Sequence, residues 1–538
     1  MLSLARMSAK LSPILSPAHV TPARLTACFI VLFPLLYGAL SLLLGQDANW
    51  DFENYHWYNA YALLNHRIGR DILVSQTPSF YNPLLDIPFY LAATHLPARL
   101  VGFLLGAIQG VNGILLFFLA YAVIARPAKE RVLWSIAVAI AGTIGGGVLG
   151  ELGTIFWDNV VSIGLLGGLL ILVRYAIDPA RPPGWAALAG LAMGAAAGLK
   201  QPHLLYCGGI GLAVLFLPGT FRRRLAIAAW LAAGGVAGFM LTSGFWIFHL
   251  ADSYGNPLFP YFNTIFHSPY AAMNRDFRDA GMMPKSVWAA VLYPLYFTLN
   301  PYLAGEVMQR GPAILALFVT LPAATVGAWR VRPAPQDRFA VPAAGRFLLA
   351  AIGICYLAWL KMFAIYRYAI PLEMLAPLGL LLAFGYFPGT ARSKLIVTGM
   401  VLALCAATNV RGNWGHVPWG ERYVTIQAPI MPKDTMVLMA GYEPIGFIAA
   451  GLPPEFPVLR IQSNFMHPGD TLSRFTAIMK DRIAAHDGPL TLIYMAYERK
   501  NAEQALSDYG LTLDYDSCKP VLNNMDDRGI LACAVTKG

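Results

Sequence analysis

Long apolar runs separated by short polar connections fill the chain from residue 25 to residue 409. They lie at 25–44, 100–125, 132–150, 159–175, 185–199, 203–218, 225–250, 311–329, 346–360, 365–386 and 395–409. Runs of this length suit helices that cross ~30 Å of hydrocarbon, several near the short limit. The pattern predicts an all-α polytopic membrane domain of about eleven transmembrane helices over residues 1–410. The first run follows Arg6, Lys10 and Arg24 and ends without a small-x-small cleavage site, so a retained first span is expected. The stretch 286–303 is apolar enough to be a further span. A crossing there would turn the later basic connections outward, so an interfacial or re-entrant segment is expected.

After residue 410 the pattern changes. Short alternating or apolar runs at 436–441, 457–462, 490–497 and 530–535 predict strands, and amphipathic stretches at 470–486 and 500–509 predict helices. Residues 411–538 are therefore expected to form a small soluble α/β domain outside the membrane. No internal repeat is visible, which argues against an inverted-repeat transporter.

Composition agrees. The set AVILMFWYC makes up 57% of the 538 residues and charged residues only 13%. That balance excludes a disordered chain, a basic nucleic-acid-binding domain and an ordinary cytosolic enzyme. The net charge of +10 is divided unevenly, +12 in residues 1–410 and −2 in residues 411–538. With the N-terminus inside, the connections carrying Arg126/Lys129/Arg131, Arg174/Arg181, Arg222/Arg223/Arg224, Arg330/Arg332/Arg338/Arg346 and Arg392/Lys394 all face the cytoplasm. An odd number of spans then puts the C-terminal domain outside. Cys28, Cys207, Cys355 and Cys405 lie in apolar runs, whereas Cys518 and Cys533 lie in the polar domain and either pair or stay free.

Two outside connections are long, 46–96 and 251–285, and long loops in compact proteins tend to carry function. The first places Asp47, Asp51, Glu53 and His56 just beyond the first span among Trp50, Tyr55, Trp57 and Tyr58. A solvated aromatic belt would account for the rings, but three acids within seven residues are unusual in an anchor. The short loop after the third run adds Glu151 and Asp158. Lys200, with His203 beside it, sits at the outer end of a run, and Arg367 and Tyr368 open a later one. Such cations suit a phosphate, Arg in bidentate fashion and Lys as a point charge. The second long loop, rich in proline and aromatics, offers Asn256, Asn263 and His267 to hydroxyl groups. No GxGxxG, Walker or CxxC pattern points to a nucleotide or zinc site.

The first outside loop, Asp51-x-Glu53-x-Tyr55 followed by Leu63-Leu64-x-x-Arg67, resembles that of the GT-C glycosyltransferases, the polytopic enzymes that use polyprenyl-phosphate-linked sugars. GLKQP around Lys200 is similar to the Leu-Thr-Lys-Gly-Pro pattern of polyprenyl-phosphate arabinose and mannose transferases, and Arg367-Tyr368 to a recurrent Arg-Tyr pair. The resemblance implies an inverting transfer from a polyprenyl-phosphate sugar to a glycan, lipid or protein acceptor on the extracytoplasmic side of a bacterial inner membrane. It makes Asp51 the catalytic acid/base, with Glu53 and Asp47 as alternatives. It also implies substrate-binding roles for Asp158, Lys200, Arg367 and Tyr368, and allows a divalent metal (Mg or Mn) at Asp158; His203, His56 and Asn263 are further substrate-binding candidates from their places beside Lys200 and in the two outside loops. The residues alone leave open a lipid-linked glycan ligase or polymerase, or a non-enzymatic transporter or flippase.

Overall fold

The computed structural model describes residues 21–273, 275, 277–330, 340–466 and 473–538. Eleven helices occupy the stretches expected from the apolar pattern: α1 Pro22–Leu44, α2 Ala98–Val123, α3 Ala128–Thr143, α4 Asp158–Ile177, α5 Ala186–Leu199, α6 Leu204–Ala213, α7 Phe221–Tyr254, α8 Ala313–Arg330, α9 Pro342–Met362, α10 Ile370–Phe384 and α11 Ala391–Ala407. Six helices in the described residues are long and apolar enough to cross a membrane, and the rest are shorter. Leu43, Leu241, Phe248, Val319, Leu357 and Leu404 are exposed on these helices, as lipid-facing side chains are. The chain is an integral membrane protein. Arg6, Lys10, Arg332 and Arg338, invoked above for orientation, lie outside the described residues.

Hydrophobic burial does not drive association inside a bilayer, so the helices approach closely through small residues. Where α5 meets α7, a Cβ on Gly194 would fall 2.0 Å from the Gly235 carbonyl oxygen, so no side chain fits. Polar anchors fix the helix ends. Thr21 caps α1 and Thr220 caps α7, each hydroxyl accepting from a first-turn N–H.

Both ends of several helices can be assigned to one of two faces. Asn82, in the loop after α1, donates to the carbonyls of Gly198 and Thr242, so α5 ends, and α7 nears its end, on the face of that loop. Arg310 and Val410 exchange backbone hydrogen bonds, so α8 begins where α11 ends. On the opposite face Val341 N–H donates to the Val123 carbonyl, joining the start of α9 to the end of α2. The short helix Val287–Leu299 lies between the end of α7 and the start of α8 and makes no net crossing.

The C-terminal residues form a sheet in the order Val458–Arg460, Met436–Met439, Leu490–Met495, Ile530–Lys537, Leu511–Leu513. The first three strands run parallel, and Ile530–Lys537 is antiparallel to its neighbours. Helices Arg474–Ala484 and Arg499–Ser507 complete a small α/β unit, and Cys518 is disulfide-bonded to Cys533. The four expected strands are present. The further strand, Leu511–Leu513, is too short for its period to stand out.

Loop 46–96 does more than present aromatic rings at a surface. It packs into the C-terminal domain, with Phe52, Trp57, Val74 and Phe89 in one apolar cluster with Tyr423, Met439, Phe447 and Ile493. Backbone pairing reinforces this. Gln46 and Asp47 pair with Val417 and His416, and Ile72 exchanges hydrogen bonds with Val458 and Arg460. Arg460 is fully buried, and its guanidinium donates to the carbonyls of Val74, Gly441, Glu443 and Gln462.

Candidate functional site

Six segments distant in sequence, around residues 51, 156, 200, 306, 367 and 414, meet at the loop-face end of the bundle. A π-helical turn, Phe52–His56, follows Asp51 and leads into helix Trp57–Leu64. Asp51 and Tyr55 share one side of this turn, and the Tyr55 hydroxyl donates to Asp51 Oδ2 at 3.2 Å. Arg367 lies in the single 3-10 turn, Tyr366–Ala369, before α10. Its Nη1 reaches Asp51 Oδ2 at 3.2 Å and its Nη2 reaches Glu306 Oε1 at 3.3 Å. The guanidinium carbon sits 4.3 Å from the centre of the Phe156 ring, a cation–π contact.

Asp158 opens α4 directly after Trp157, whose φ of 72° is left-handed, a costly conformation for a bulky residue. The Trp157 indole, donating to Asp86 at 2.6 Å, helps to hold that turn. Lys200, extended beyond the end of α5, donates to Asp158 Oδ2 and to the Phe156 carbonyl, each at 2.5 Å. Lys200 Nζ and Arg367 Cζ lie 5.5 and 5.8 Å from the centre of the Tyr368 ring. The two cations therefore flank one aromatic ring. Tyr81 stands edge-on to Tyr55, and its hydroxyl is bonded to that of Tyr261 from the loop after α7, which extends the aromatic wall.

Glu151 belongs to the same neighbourhood. Both its carboxylate oxygens are buried without a hydrogen-bond partner, and burial, with Asp158 nearby, pushes its carboxyl well above the usual range. Burial also raises Glu306, but Arg367 and the Trp414 indole outweigh it and hold that carboxyl below its ordinary value.

The other acids of the first loop face elsewhere. Asp47 is fully buried. Its Oδ1 accepts from the Asn49 backbone and side chain, and its Oδ2 accepts from Ile155 N–H at 2.8 Å. Burial pushes it up to about 6 against those donors. Glu53, two residues from Asp51 and on another side of the turn, pairs with Arg528 of the C-terminal domain at 3.0 Å. Burial, with Asp526 nearby, raises Glu53 to about 9. Arg528 stays charged nonetheless, because Asp526 holds it at 2.6 Å. His56 Nδ1 is 2.7 Å from Asp86 Oδ1. His203 is buried close to Tyr206, and its ring nitrogens have no hydrogen-bond partner among the described residues. Asn263 braces its own loop, donating to the carbonyls of Ser268 and Ala271 and accepting from Ser268 N–H, so its amide is not free for a sugar. Asn256 is spent in the same way on Tyr261 and Leu258.

Two groups at the centre were not marked by any sequence pattern. Glu306 lies in an irregular stretch before α8, and Trp414 lies just past α11. The Trp414 indole donates to Glu306 Oε2 at 3.1 Å and its rings pack edge-on against Phe156. Their signal was position alone, an acid and an indole in outside connections.

A divalent metal finds no ligand set. Among the described residues no three His, Cys, Asp or Glu side chains converge at ligand spacing, and Asp158 Oδ2 is committed to Lys200. No step below uses one.

Fold and site together define an integral membrane protein with a partly buried charged centre at one end of a helix bundle and a sheet domain packed on the loop that carries Asp51. Among solved structures the chain is similar to ArnT from Cupriavidus metallidurans bound to undecaprenyl phosphate, at 12% identity over 94% of this chain and 97% of that one, with a TM-score of 0.48. ArnT from the same organism in the apo state matches at 12% identity over 96% and 98%, with a TM-score of 0.41. The Archaeoglobus fulgidus oligosaccharyltransferase in the apo form matches at 12% identity over 89% and 71%, with a TM-score of 0.42. No protein-family model and no curated protein sequence matches the chain.

Proposed function

We propose that this protein is a membrane glycosyltransferase that moves a sugar from a polyprenyl-phosphate donor to a hydroxyl of a glycan, lipid or protein acceptor. The observation that carries this reading is the meeting of one partly open carboxylate, Asp51, with two cations, Arg367 and Lys200, beside an aromatic wall at the end of the bundle. A lipid-borne phosphate can lodge there with its chain in the membrane while a water-soluble acceptor comes from the loop side.

In the reaction the acceptor hydroxyl oxygen attacks the anomeric carbon as Asp51 takes its proton. The bond from that carbon to the phosphate oxygen breaks, and polyprenyl phosphate leaves with the bonding electrons. Arg367 and Lys200 stabilise the charge gathering on the phosphate. One base opposite a leaving phosphate gives inversion at the anomeric carbon, by analogy with inverting hydrolases. Asp158 orients Lys200, and Tyr55 orients Asp51. Residues 1–410 form the catalytic membrane domain. The loop face is extracytoplasmic in this reading, periplasmic if the membrane is a bacterial inner membrane, with the N-terminus cytoplasmic.

The test is transfer of radiolabelled sugar by the purified protein in lipid nanodiscs, from a panel of polyprenyl-phosphate hexoses and pentoses to envelope glycans and lipids. Label transfer with at least one donor, abolished in Asp51→Asn, supports the reading. Donor binding without transfer from any of the panel counts against it.

A further inference from the structure

We propose that Glu306 and Trp414 are positioning residues that keep Arg367 in the site while the donor phosphate replaces Asp51 on its guanidinium. The inference rests on the polyprenyl-phosphate reading above and concerns how that site is released for chemistry.

The two cations are held very differently. Lys200 is 2.5 Å from Asp158 and from a backbone carbonyl, a tight and buried arrangement. Arg367 makes longer contacts, 3.2 Å to Asp51 and 3.3 Å to Glu306, against about 2.7–2.9 Å for a well-formed charge-assisted bond. Its Nε has no partner. Arg367 is therefore the cation able to exchange an oxygen ligand, and it has two carboxylates to choose between.

The two carboxylates are not equivalent. Apart from Arg367, the Tyr55 hydroxyl alone among the described residues supports Asp51, on the same oxygen that meets Arg367. Glu306 is tied by its second oxygen to the Trp414 indole. Trp414 in turn packs on Phe156, and Phe156 lies under the Arg367 guanidinium. Arg367, Glu306, Trp414 and Phe156 thus form a closed ring of contacts that excludes Asp51. When a phosphate oxygen arrives, the ring stays whole and Asp51 is the ligand given up. A carboxylate oxygen occupied by a guanidinium is not open to an acceptor hydroxyl, and one released from it is within reach to act as a base. Donor binding and base activation become one event, which keeps Asp51 occupied until a donor is present.

Electrostatics alone predicts the opposite effect of removing Glu306, since deleting an acid beside a phosphate site should tighten phosphate binding. The experiment uses that difference in sign. Binding of radiolabelled undecaprenyl phosphate to the full chain in nanodiscs is measured for the wild type, E306Q, W414F and R367A, with thermal unfolding of each as a check on folding. Weaker binding in E306Q by about tenfold, the lower end for a charge-assisted contact, is expected. A smaller loss is expected in W414F, which keeps a ring against Phe156 but lacks the indole N–H. In turnover E306Q should raise the donor KM by more than it lowers kcat, because Asp51 itself is intact. Unchanged or tighter binding in E306Q, alongside weaker binding in R367A, overturns this inference and leaves the proposed function standing. Wild-type binding in R367A removes Arg367 from the phosphate and overturns both. Should E306Q fail to fold, W414F decides: wild-type binding there overturns the ring.

Discussion

Asp51 and Arg367 are 316 residues apart in sequence, yet a carboxylate oxygen of one lies 3.2 Å from a guanidinium nitrogen of the other. The contact joins the exit of the first span to the entrance of α10. It brings the acid that precedes the π-helical turn to the cation best able to let it go.

Asp51→Asn should slow turnover by about two to four orders of magnitude, the usual range for loss of a general base. The thermal midpoint should hardly move, because Arg367 keeps Glu306 and the side chain at 51 is partly open. Asp47→Asn should do the reverse. Its two oxygens accept three N–H bonds in a buried site, so an amide there loses about 1–3 kcal/mol of stability, while turnover per folded molecule stays near wild type. Thermal unfolding alongside single-turnover transfer separates the two roles. A slow but stable Asp47→Asn protein would contradict this assignment.

Lys200→Ala should harm folding as well as donor binding, because it leaves the buried Asp158 carboxylate without its cation. Breaking such a pair costs about 3–5 kcal/mol. Lys200→Ala with Asp158→Asn should recover most of the stability and none of the donor affinity. Denaturant titration in detergent and donor binding measure the two effects. Equal stability in the single and double variants would show that the pair carries little of the fold.

A reporter active only outside the cytoplasm, fused after residue 412, should be active. The eleven apolar runs predict an odd number of crossings, and helix Val287–Leu299, between two ends on the same face, is expected to add none. A cytoplasmic signal at that point would invert the assignment of every later loop.

His416 sits where the start of the C-terminal domain pairs with the first loop. Burial, assisted by Arg411, lowers its imidazole to about 4. The folded protein thus binds fewer protons here than the unfolded chain between about pH 4 and 6.5. Stability from this group is complete above pH 6.5 and is lost as the pH falls toward 4, by about 2–3 kcal/mol in all. His416→Gln should flatten the acid side of a stability–pH profile over that window and leave the neutral region nearly unchanged.

Much of this was legible in the sequence, and the reason differs from feature to feature. The helices followed from apolar runs because a bilayer demands them wherever they stand. Lys200 and Arg367 stood out because a cation at the mouth of an apolar run has few alternatives. The choice among Asp47, Asp51 and Glu53 was not readable from spacing. Two residues of separation on a helical turn points side chains in nearly opposite directions, and only the partner settles which faces the site. For Glu53 the partner is Arg528, 475 residues on, and for Asp47 the Ile155 amide. Asn263 looked available because a loop amide often is. The turn it closes depends on backbone positions that no composition reveals. Glu306 and Trp414 belong to irregular segments, where neither period constrains a residue and the chain's return to the site is a tertiary fact.

The pairing of Gln46–Asp47 with His416–Val417, and of Ile72 with Val458 and Arg460, has a consequence for biogenesis. The acid at position 51 leaves the ribosome long before residues 416–460, which shape its loop. Until those later residues have been made, Phe52 and Val74 lack the surface that buries them. Asp51 therefore stands in an unfinished setting while the chain between is made, and its surroundings are completed only when the later segment folds back onto the earlier one.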